Sequence, residues 1–173
     1  MPVKIADVQP PRGLSRALFS LPILIFRARL GWLLGGHFIE LTHVGRVTGL
    51  PRQTVLEIIR HDKDTGTYFV VSGWGEKSDW FRNVQKTPEV MIQVGHRQLE
   101  AVAECIPLEE AEREILNYAR RYPRLLRVLA RMIGYKVEDT EEDYRALAKL
   151  VPIVAFRTMN LQKVRPLYKR NPA

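Results

Sequence analysis

Six apolar stretches with the composition of β-strands follow one another along this chain, and short glycine-containing turns join several of them. Stretches separated only by a tight turn pair most simply as antiparallel neighbours. They do not alternate with helices throughout, as a doubly wound parallel fold requires. The sequence therefore predicts a mainly β, α+β domain in which about six antiparallel strands close into a barrel with helices outside it. The stretches are residues 37–44, 53–61, 68–73, 89–94, 99–106 and 151–158.

Helices are predicted between some of these strands. Ser78 is a favourable N-cap for a short helix that ends before Pro88. Apolar residues spaced by three or four positions predict further helices over 108–121 and 124–133. Thr140 is placed to cap another helix, with an acidic residue three positions later.

The 173 residues are enough for one compact domain, which is predicted over residues 14–160. Prolines and glycine mark residues 1–13 as a loose arm, and lysines and arginines mark 161–173 as a basic tail. Residues 14–34 are the most apolar region and predict an amphipathic helix that packs on the domain or touches a membrane surface. Their longest uncharged run is too short to span a bilayer. A cytoplasmic location is expected, because no signal for secretion is apparent.

The net charge of +8 suits an anionic partner: nucleic acid, a membrane surface, or a small molecule that carries phosphate or carboxylate. Nucleic acid is disfavoured, because the aromatic residues lie with glycines at a strand end instead of forming a stacking platform along a strand. The single cysteine and the spacing of the four histidines argue against a metal site. No arrangement of serine, histidine and aspartate indicates a hydrolase.

An anion-binding loop is predicted within THVGRVTGLPRQTVL, residues 42–56. Two glycines let the backbone approach a ligand closely, and two arginines supply fixed charge suited to phosphate or carboxylate. A threonine adds a hydroxyl group. A plain surface loop with solvated arginines is the alternative interpretation. The five residues are Gly45, Arg46, Thr48, Gly49 and Arg52.

A planar ring is predicted to bind where a strand ends in SGWGEKSDWFRN, residues 72–83. The glycines expose backbone N–H groups without obstruction by side chains, and a tryptophan would form a wall beside the ring. Trp80 and Asn83 share one helix face because they are three positions apart. Packing of Trp80 in the core is the alternative. The candidate residues are Ser72, Gly73, Trp74, Gly75, Lys77, Trp80 and Asn83.

Together, these segments resemble the deazaflavin-dependent nitroreductase family, whose members bind coenzyme F420 on a split β-barrel. The family signature Thr-x-x-Gly-Arg-x-Ser/Thr-Gly-x-x-Arg-x-x-x-Leu is matched by Thr42, Gly45, Arg46, Thr48, Gly49, Arg52 and Leu56. A second signature, a glycine-rich strand end followed by Trp-x-x-Asn and Pro-x-Val, is matched by Ser72, Gly73, Gly75, Trp80, Asn83, Pro88 and Val90. The closing strand of the family resembles VPIV, Val151 to Val154.

The resemblance implies an FMN-binding split-barrel-like fold and an oxidoreductase. Reduced F420 would give a hydride to an enone, a quinone or a nitro-aromatic compound. It also implies that Arg46, Thr48 and Arg52 bind the cofactor phosphate. Val47 stands where many members have another basic residue. The ring would lie beside Thr54, Val55 and Leu56 and would meet the strand end at residues 72–75.

The resemblance further implies that tyrosines of the last helical region lie near the ring, which makes Tyr135 and Tyr144 the candidate catalytic residues. Two other functions stay open. Split barrels also bind FMN, whose phosphate would suit the same arginines, and the protein would otherwise be a non-catalytic binder of F420 or a lipid-like ligand. A homodimer is an expectation from the family.

Overall fold

The computed structural model describes residues 2–7 and 37–159. The predicted helix at 14–34, its membrane contact, the basic tail at 161–173 and most of the arm at 1–13 lie outside these residues. The strands are β1 (Val3–Lys4), β2 (Phe38–Val44), β3 (Pro51–Asp62), β4 (Thr67–Val71), β5 (Glu89–Val94), β6 (Arg97–Cys105), β7 (Tyr135–Lys136) and β8 (Ile153–Thr158). The α-helices are α1 (Asp79–Lys86), α2 (Leu108–Arg121), α3 (Pro123–Met132) and α4 (Glu141–Leu150), and a 3₁₀ turn covers Gly75–Lys77.

Six strands form a closed antiparallel barrel in the order β2-β3-β4-β8-β6-β5, and β5 pairs back onto β2. Sequential hairpins join β2 to β3, β3 to β4 and β5 to β6, as the short turns predict. The last strand, β8, inserts between β4 and β6 and completes the barrel. The predicted fold class, a split β-barrel with outer helices, is confirmed. The division of the chain into an arm, a domain and a tail stays a prediction.

Alternation of side chains along the strands separates two cores. On β4, Tyr68 and Val70 point into the barrel with Phe156 of β8. The intervening Phe69 points outward and packs with Ile153 beneath the helices. Because β4 and β8 each have one face in each core, apolar residues occupy consecutive positions in these two strands. Helices α2, α3 and α4 thus cover one outer side of the barrel, whereas α1 packs against the barrel interior.

Local signals explain the helix ends. The Thr140 hydroxyl accepts a hydrogen bond of 3.1 Å from the Asp143 N–H at the start of α4, as predicted. α3 begins with Pro123, which needs no N–H partner in the first turn. Ser78 occupies the N-cap position of α1, but its side chain makes no capping hydrogen bond. Among the described residues, no helix is both long enough and apolar enough to cross a membrane.

A two-stranded ribbon was not predicted. Val3 pairs with Lys136, and Lys4 pairs with Tyr135. The Ile5 N–H also donates to the Gly134 carbonyl at 2.8 Å. Residues 2–7 are thereby attached to the end of α3, although two-residue strands give little signal in a sequence.

Candidate functional site

The first half of β3 has an open edge among the described residues. β3 pairs with β2 from Pro51 to Glu57, whereas its pairing with β4 begins only at Ile58. The Ile58 N–H donates to the His37 carbonyl on the β2 side. The backbone N–H and C=O groups of successive residues in a strand point to opposite edges. The backbone groups of alternate residues before Ile58 therefore point away from β2. These residues are Gln53, Val55 and Glu57.

The β2–β3 loop is tight and requires glycine at two positions. The Gly45 N–H donates to the Leu50 carbonyl, and the Gly49 N–H donates to the Gly45 carbonyl, both at 2.8 Å. Gly49 has a φ of +66°, which side chains disfavour. A Cβ atom on Gly45 would lie 2.9 Å from the Thr48 hydroxyl oxygen. Val47 and Thr48 at the tip are exposed.

Arg46 binds to α1 instead of projecting into solvent. Its Nη1 donates to Asp79 Oδ1 at 2.9 Å and to Asn83 Oδ1 at 3.1 Å, and its backbone N–H donates to the same Asn83 oxygen at 3.0 Å. The Arg46 side chain is 23% exposed. Arg52 is exposed and takes part in none of the ion pairs within the described residues. Arg46 therefore holds the loop, and Arg52 is the arginine available to an anion.

Asn83 joins this network to a buried histidine. The Asn83 Nδ2 group lies 3.1 Å from His43 Nδ1. Because Asn83 Oδ1 accepts the Arg46 hydrogen bonds, Nδ2 donates and His43 Nδ1 accepts. Burial lowers the pKa of His43 below its ordinary value of 6.5. The network thus contains a neutral imidazole.

This network predicts that stability falls in mildly acidic solution. A folded-state pKa below the ordinary 6.5 means that the unfolded chain binds more protons as the pH decreases through that value. The contribution of His43 is complete above the unfolded-state pKa and is lost toward the folded-state pKa. Urea unfolding of the wild type should give a lower free energy of unfolding near pH 5.5 than near pH 7.5. His43→Gln should reduce this slope, part of which remains because burial also lowers the pKa of His61, and His96→Gln, at an exposed turn, should leave it unchanged. An equal slope in His43→Gln would contradict the assignment.

The strand end after β4 is a tight turn built on Ser72. The buried Ser72 donates from Oγ to the Gly75 carbonyl at 3.1 Å, and its N–H donates to the Pro152 carbonyl at 2.8 Å. Gly75 has a φ of +52°, and a Cβ atom on Gly73 would lie 3.0 Å from Ile133 Cγ2. Ser72 and Gly75 therefore shape the turn, and Gly73 leaves space between the turn and α3.

That space opens into an apolar cavity of about 170 Å³. Glu57 and Ile59 of β3 line one side, and Gly73 and Trp74 line another. Apolar side chains of α2, α3 and α4 complete the lining. The open edge of β3 and the predicted ring residues at the strand end therefore meet at one cavity.

Glu57 and Tyr118 form the polar part of the lining, and sequence reasoning missed both. The Tyr118 hydroxyl donates to Glu57 Oε1 at 2.8 Å. Burial, reinforced by the Glu57 carboxylate, raises the pKa of Tyr118. Tyr118 follows Ile115 by three positions on the apolar face of α2, so the helical pattern marks its burial but not its partner.

Other predicted residues lie elsewhere. Trp80 packs against the barrel interior, with its ring 5.9 Å from that of Phe81. Lys77 is exposed and lies 3.5 Å from Asp7. Tyr144 donates to Asp139 at 2.9 Å, and burial raises its pKa to about 12. Neither Tyr144 nor Tyr135 is among the described residues that line the cavity.

Comparisons with known proteins find one family and several solved structures to which this chain is similar. Residues 26–130 match the model of the family described as F420H(2)-dependent quinone reductase. An F420-H2 dependent reductase, FDR-A, is 21% identical, with 70% of this chain and 94% of that chain covered and a TM-score of 0.47. The heme storage protein HutZ from Vibrio cholerae is 14% identical, with 80% and 89% covered and a TM-score of 0.50. A conserved hypothetical protein from Mycobacterium tuberculosis, Rv2991, is 16% identical, with 77% and 80% covered and a TM-score of 0.50. Among curated proteins, none matches the sequence.

Proposed function

Since the chain belongs to the F420H(2)-dependent quinone reductase family, we propose that it is an oxidoreductase in which reduced coenzyme F420 donates a hydride to an electron-poor acceptor. Quinones are the acceptor class that the family description favours. Enones and nitro-aromatic compounds share the electron-poor character that hydride transfer requires, and they belong to the same proposal.

One observation carries the proposal: a single strand, β3, connects a cation, an open backbone edge and an apolar cavity. Arg52 lies near the start of β3, where its side chain is exposed. The outward backbone groups of Gln53, Val55 and Glu57 follow, and Glu57 and Ile59 line the cavity. This order suits a molecule with an anionic end, a flat ring with hydrogen-bonding edges and a reactive face turned to an apolar space.

The residues present fit F420 in this order. Arg52, the Thr48 hydroxyl and the backbone N–H of Val47 would bind the phosphodiester, and Gly49, whose N–H donates to the Gly45 carbonyl, would shape the loop around it. The backbone from Thr54 to Leu56 and the turn at residues 72–75 would lie beside the deazaflavin ring, with Trp74 as a wall. Arg46 and Asn83 support the loop, which assigns them a positioning role.

Bound reduced F420 supplies the hydride, and the protein supplies binding, orientation and exclusion of water. The cavity of about 170 Å³ is sufficient for one ring, because an apolar cavity of roughly 150 Å³ accommodates benzene. Its apolar walls favour a flat, hydrophobic acceptor and keep water away from the reacting atoms. Gly73 matters here because a side chain at this position would occupy the space toward α3.

Several assignments stay predictions within this proposal. Tyr135 and Tyr144 are the sequence-based candidates for proton transfer, and Lys77 and Trp80 are candidates for cofactor contact. A homodimer, a peripheral membrane contact through residues 14–34 and a cytoplasmic location are likewise predictions. The family assignment does not support the FMN alternative. A non-catalytic binder of F420 or a lipid-like ligand would bind without turnover.

The proposal is tested by titrating the purified protein with F420 and, separately, with FMN, using tryptophan fluorescence and thermal shift. We expect saturable F420 binding and much weaker FMN binding. Oxidation of reduced F420 should then depend on an added quinone such as menadione. Tight FMN binding with no F420 binding would overturn the cofactor, and F420 binding without turnover of any acceptor class would favour the non-catalytic binder.

A further inference from the structure

Two titratable side chains form the polar wall of the otherwise apolar cavity. Among its described lining residues, Glu57 and Tyr118 alone can exchange a proton. They come from β3 and α2, 61 positions apart, and the Tyr118 hydroxyl donates to Glu57 Oε1 at 2.8 Å. Tyr118 is only 5% exposed. The pair is therefore a contact between a buried tyrosine and a half-buried carboxyl group, next to the space that the acceptor would occupy.

Tyr118 also lines a second, open groove of about 390 Å³ on the outer side. The sides of this groove are polar and include Arg60, Glu114, Asn117 and Arg121. Arg60 Nε and Glu114 Oε2 form an ion pair at 2.9 Å, so these two opposite charges in the groove compensate each other. Tyr118 and Ile59 belong to both linings. Tyr118 thus separates an apolar cavity from a water-accessible groove.

We propose that Glu57 is the general acid of the acceptor cavity and that Tyr118 positions Glu57 and connects it to solvent in the groove. This inference rests on the proposed function, in which reduced F420 is the hydride donor. Two-electron reduction of a quinone or an enone requires one hydride and one proton. The apolar side chains of the cavity cannot supply that proton, whereas this pair reaches from the groove to the cavity wall.

The proton balance involves two transfers. The acid form of Glu57 gives its proton to the acceptor oxygen, so one carboxyl O–H bond breaks and one O–H bond forms on the product. The carboxylate left behind keeps the hydrogen bond from Tyr118, which stabilises its charge. The Tyr118 proton then moves to Glu57 Oε1 while a hydronium ion in the groove gives its proton to the Tyr118 oxygen. The overall reaction balances because oxidation of reduced F420 releases one hydride and one proton in total, and that proton returns to solvent. Burial keeps the pKa of Tyr118 raised, so its hydroxyl remains a donor at neutral pH.

Steady-state kinetics with reduced F420 and menadione test the assignment. Glu57→Gln retains the shape and the oxygen that accepts from Tyr118, yet it should lower kcat by about 100-fold or more. Tyr118→Phe should lower kcat by about tenfold and increase the solvent deuterium isotope effect on kcat, because proton transfer becomes slower. The dissociation constant of F420 should change by no more than about threefold in either variant. Glu89→Gln, at an exposed strand position, is the matched control.

Infrared spectroscopy of the cofactor-free protein provides a readout that does not depend on turnover. In the assay buffer, the wild type should show a carboxylic-acid C=O band that is absent from Glu57→Gln, because a general acid must carry its proton before turnover. Loss of the Tyr118 hydrogen bond should shift this band in Tyr118→Phe. A band that neither substitution alters would overturn the pairing in solution.

The outcomes separate this inference from the proposed function. A wild type that turns over, with Glu57→Gln within about threefold of its kcat, overturns the general acid alone. A comparable loss in Tyr144→Phe instead would overturn Glu57 and support Tyr144 as the proton donor. A wild type that oxidises reduced F420 with none of the acceptors overturns the proposed function, and the proton-donor role of Glu57 fails with it.

Discussion

Replacement of Arg52 by alanine should weaken F420 binding by about tenfold to a hundredfold, because a hydrogen bond to a charged group contributes about 1.5–3 kcal/mol. Arg52 is exposed at the start of β3, and no ion pair within the described residues engages it. Its loss should therefore leave the free energy of unfolding within about 0.5 kcal/mol of the wild type. Fluorescence titration and urea unfolding measure the two quantities.

Arg46→Ala gives the informative contrast. Because Arg46 binds Asp79 and Asn83, its removal should lower the stability and loosen the loop, and the affinity should decrease through misplacement of Arg52. The double variant Arg46→Ala/Arg52→Ala should lose at least as much affinity for F420 as Arg52→Ala alone. Arg97→Ala controls for net charge, because Arg97 begins β6 next to Val94, at the end of β5 that lies away from the β2–β3 loop. Unchanged F420 affinity in Arg52→Ala would contradict the assignment of the phosphate to this loop.

The barrel could be predicted because the signals for its strands and turns lie in short, continuous segments of the sequence. Strand stretches with period-two or continuous apolar patterns are separated by short turns, and such turns dictate antiparallel pairing. The observed strand β3 (Pro51–Asp62) extends the predicted 53–61 by only a few residues. The apolar composition of β8 predicts that it belongs to the sheet. It does not predict that β8 lies between β4 and β6, because the order of strands in a barrel depends on tertiary contacts.

The site could be predicted only where it is local. The glycines of the β2–β3 loop and of the strand end appear in the sequence, and both form tight turns. The role of Arg46 depends on Asn83, 37 positions away, and the Tyr118–Glu57 contact joins residues 61 positions apart. Spacing cannot indicate such pairs, because side-chain partners across elements are decided by packing.

Trp80 illustrates the same limit. Its place in a helix after a glycine-rich turn suits either a ring wall or a core residue, and both interpretations were open. In the structure its ring packs near Phe81 and Phe156 of the barrel interior. The helix that carries Trp80 also carries Asp79 and Asn83, so α1 contacts both the barrel interior and the β2–β3 loop.

Since α1 packs against the barrel interior, a substitution in that interior should cause the largest decrease in the free energy of unfolding. Phe156→Ala should lower the free energy of unfolding by about 3–5 kcal/mol, because a fully buried aromatic side chain is lost and a cavity remains. Phe156 is 0% exposed and lies opposite Tyr68 and Ala103 on the neighbouring strands. For a chain of this size the midpoint of thermal unfolding should decrease by roughly 10 °C.

Urea unfolding distinguishes this packing loss from a general effect of mutation in β8. Phe156→Leu should cost less than half as much as Phe156→Ala, since it restores most of the apolar volume. Arg157→Ala removes an exposed ion pair to Glu104 and should cost less than about 1 kcal/mol. A loss below about 1 kcal/mol in Phe156→Ala would mean that the barrel interior does not support α1. The positions of Asn83 and the Arg46 loop would then have to depend on contacts outside the barrel.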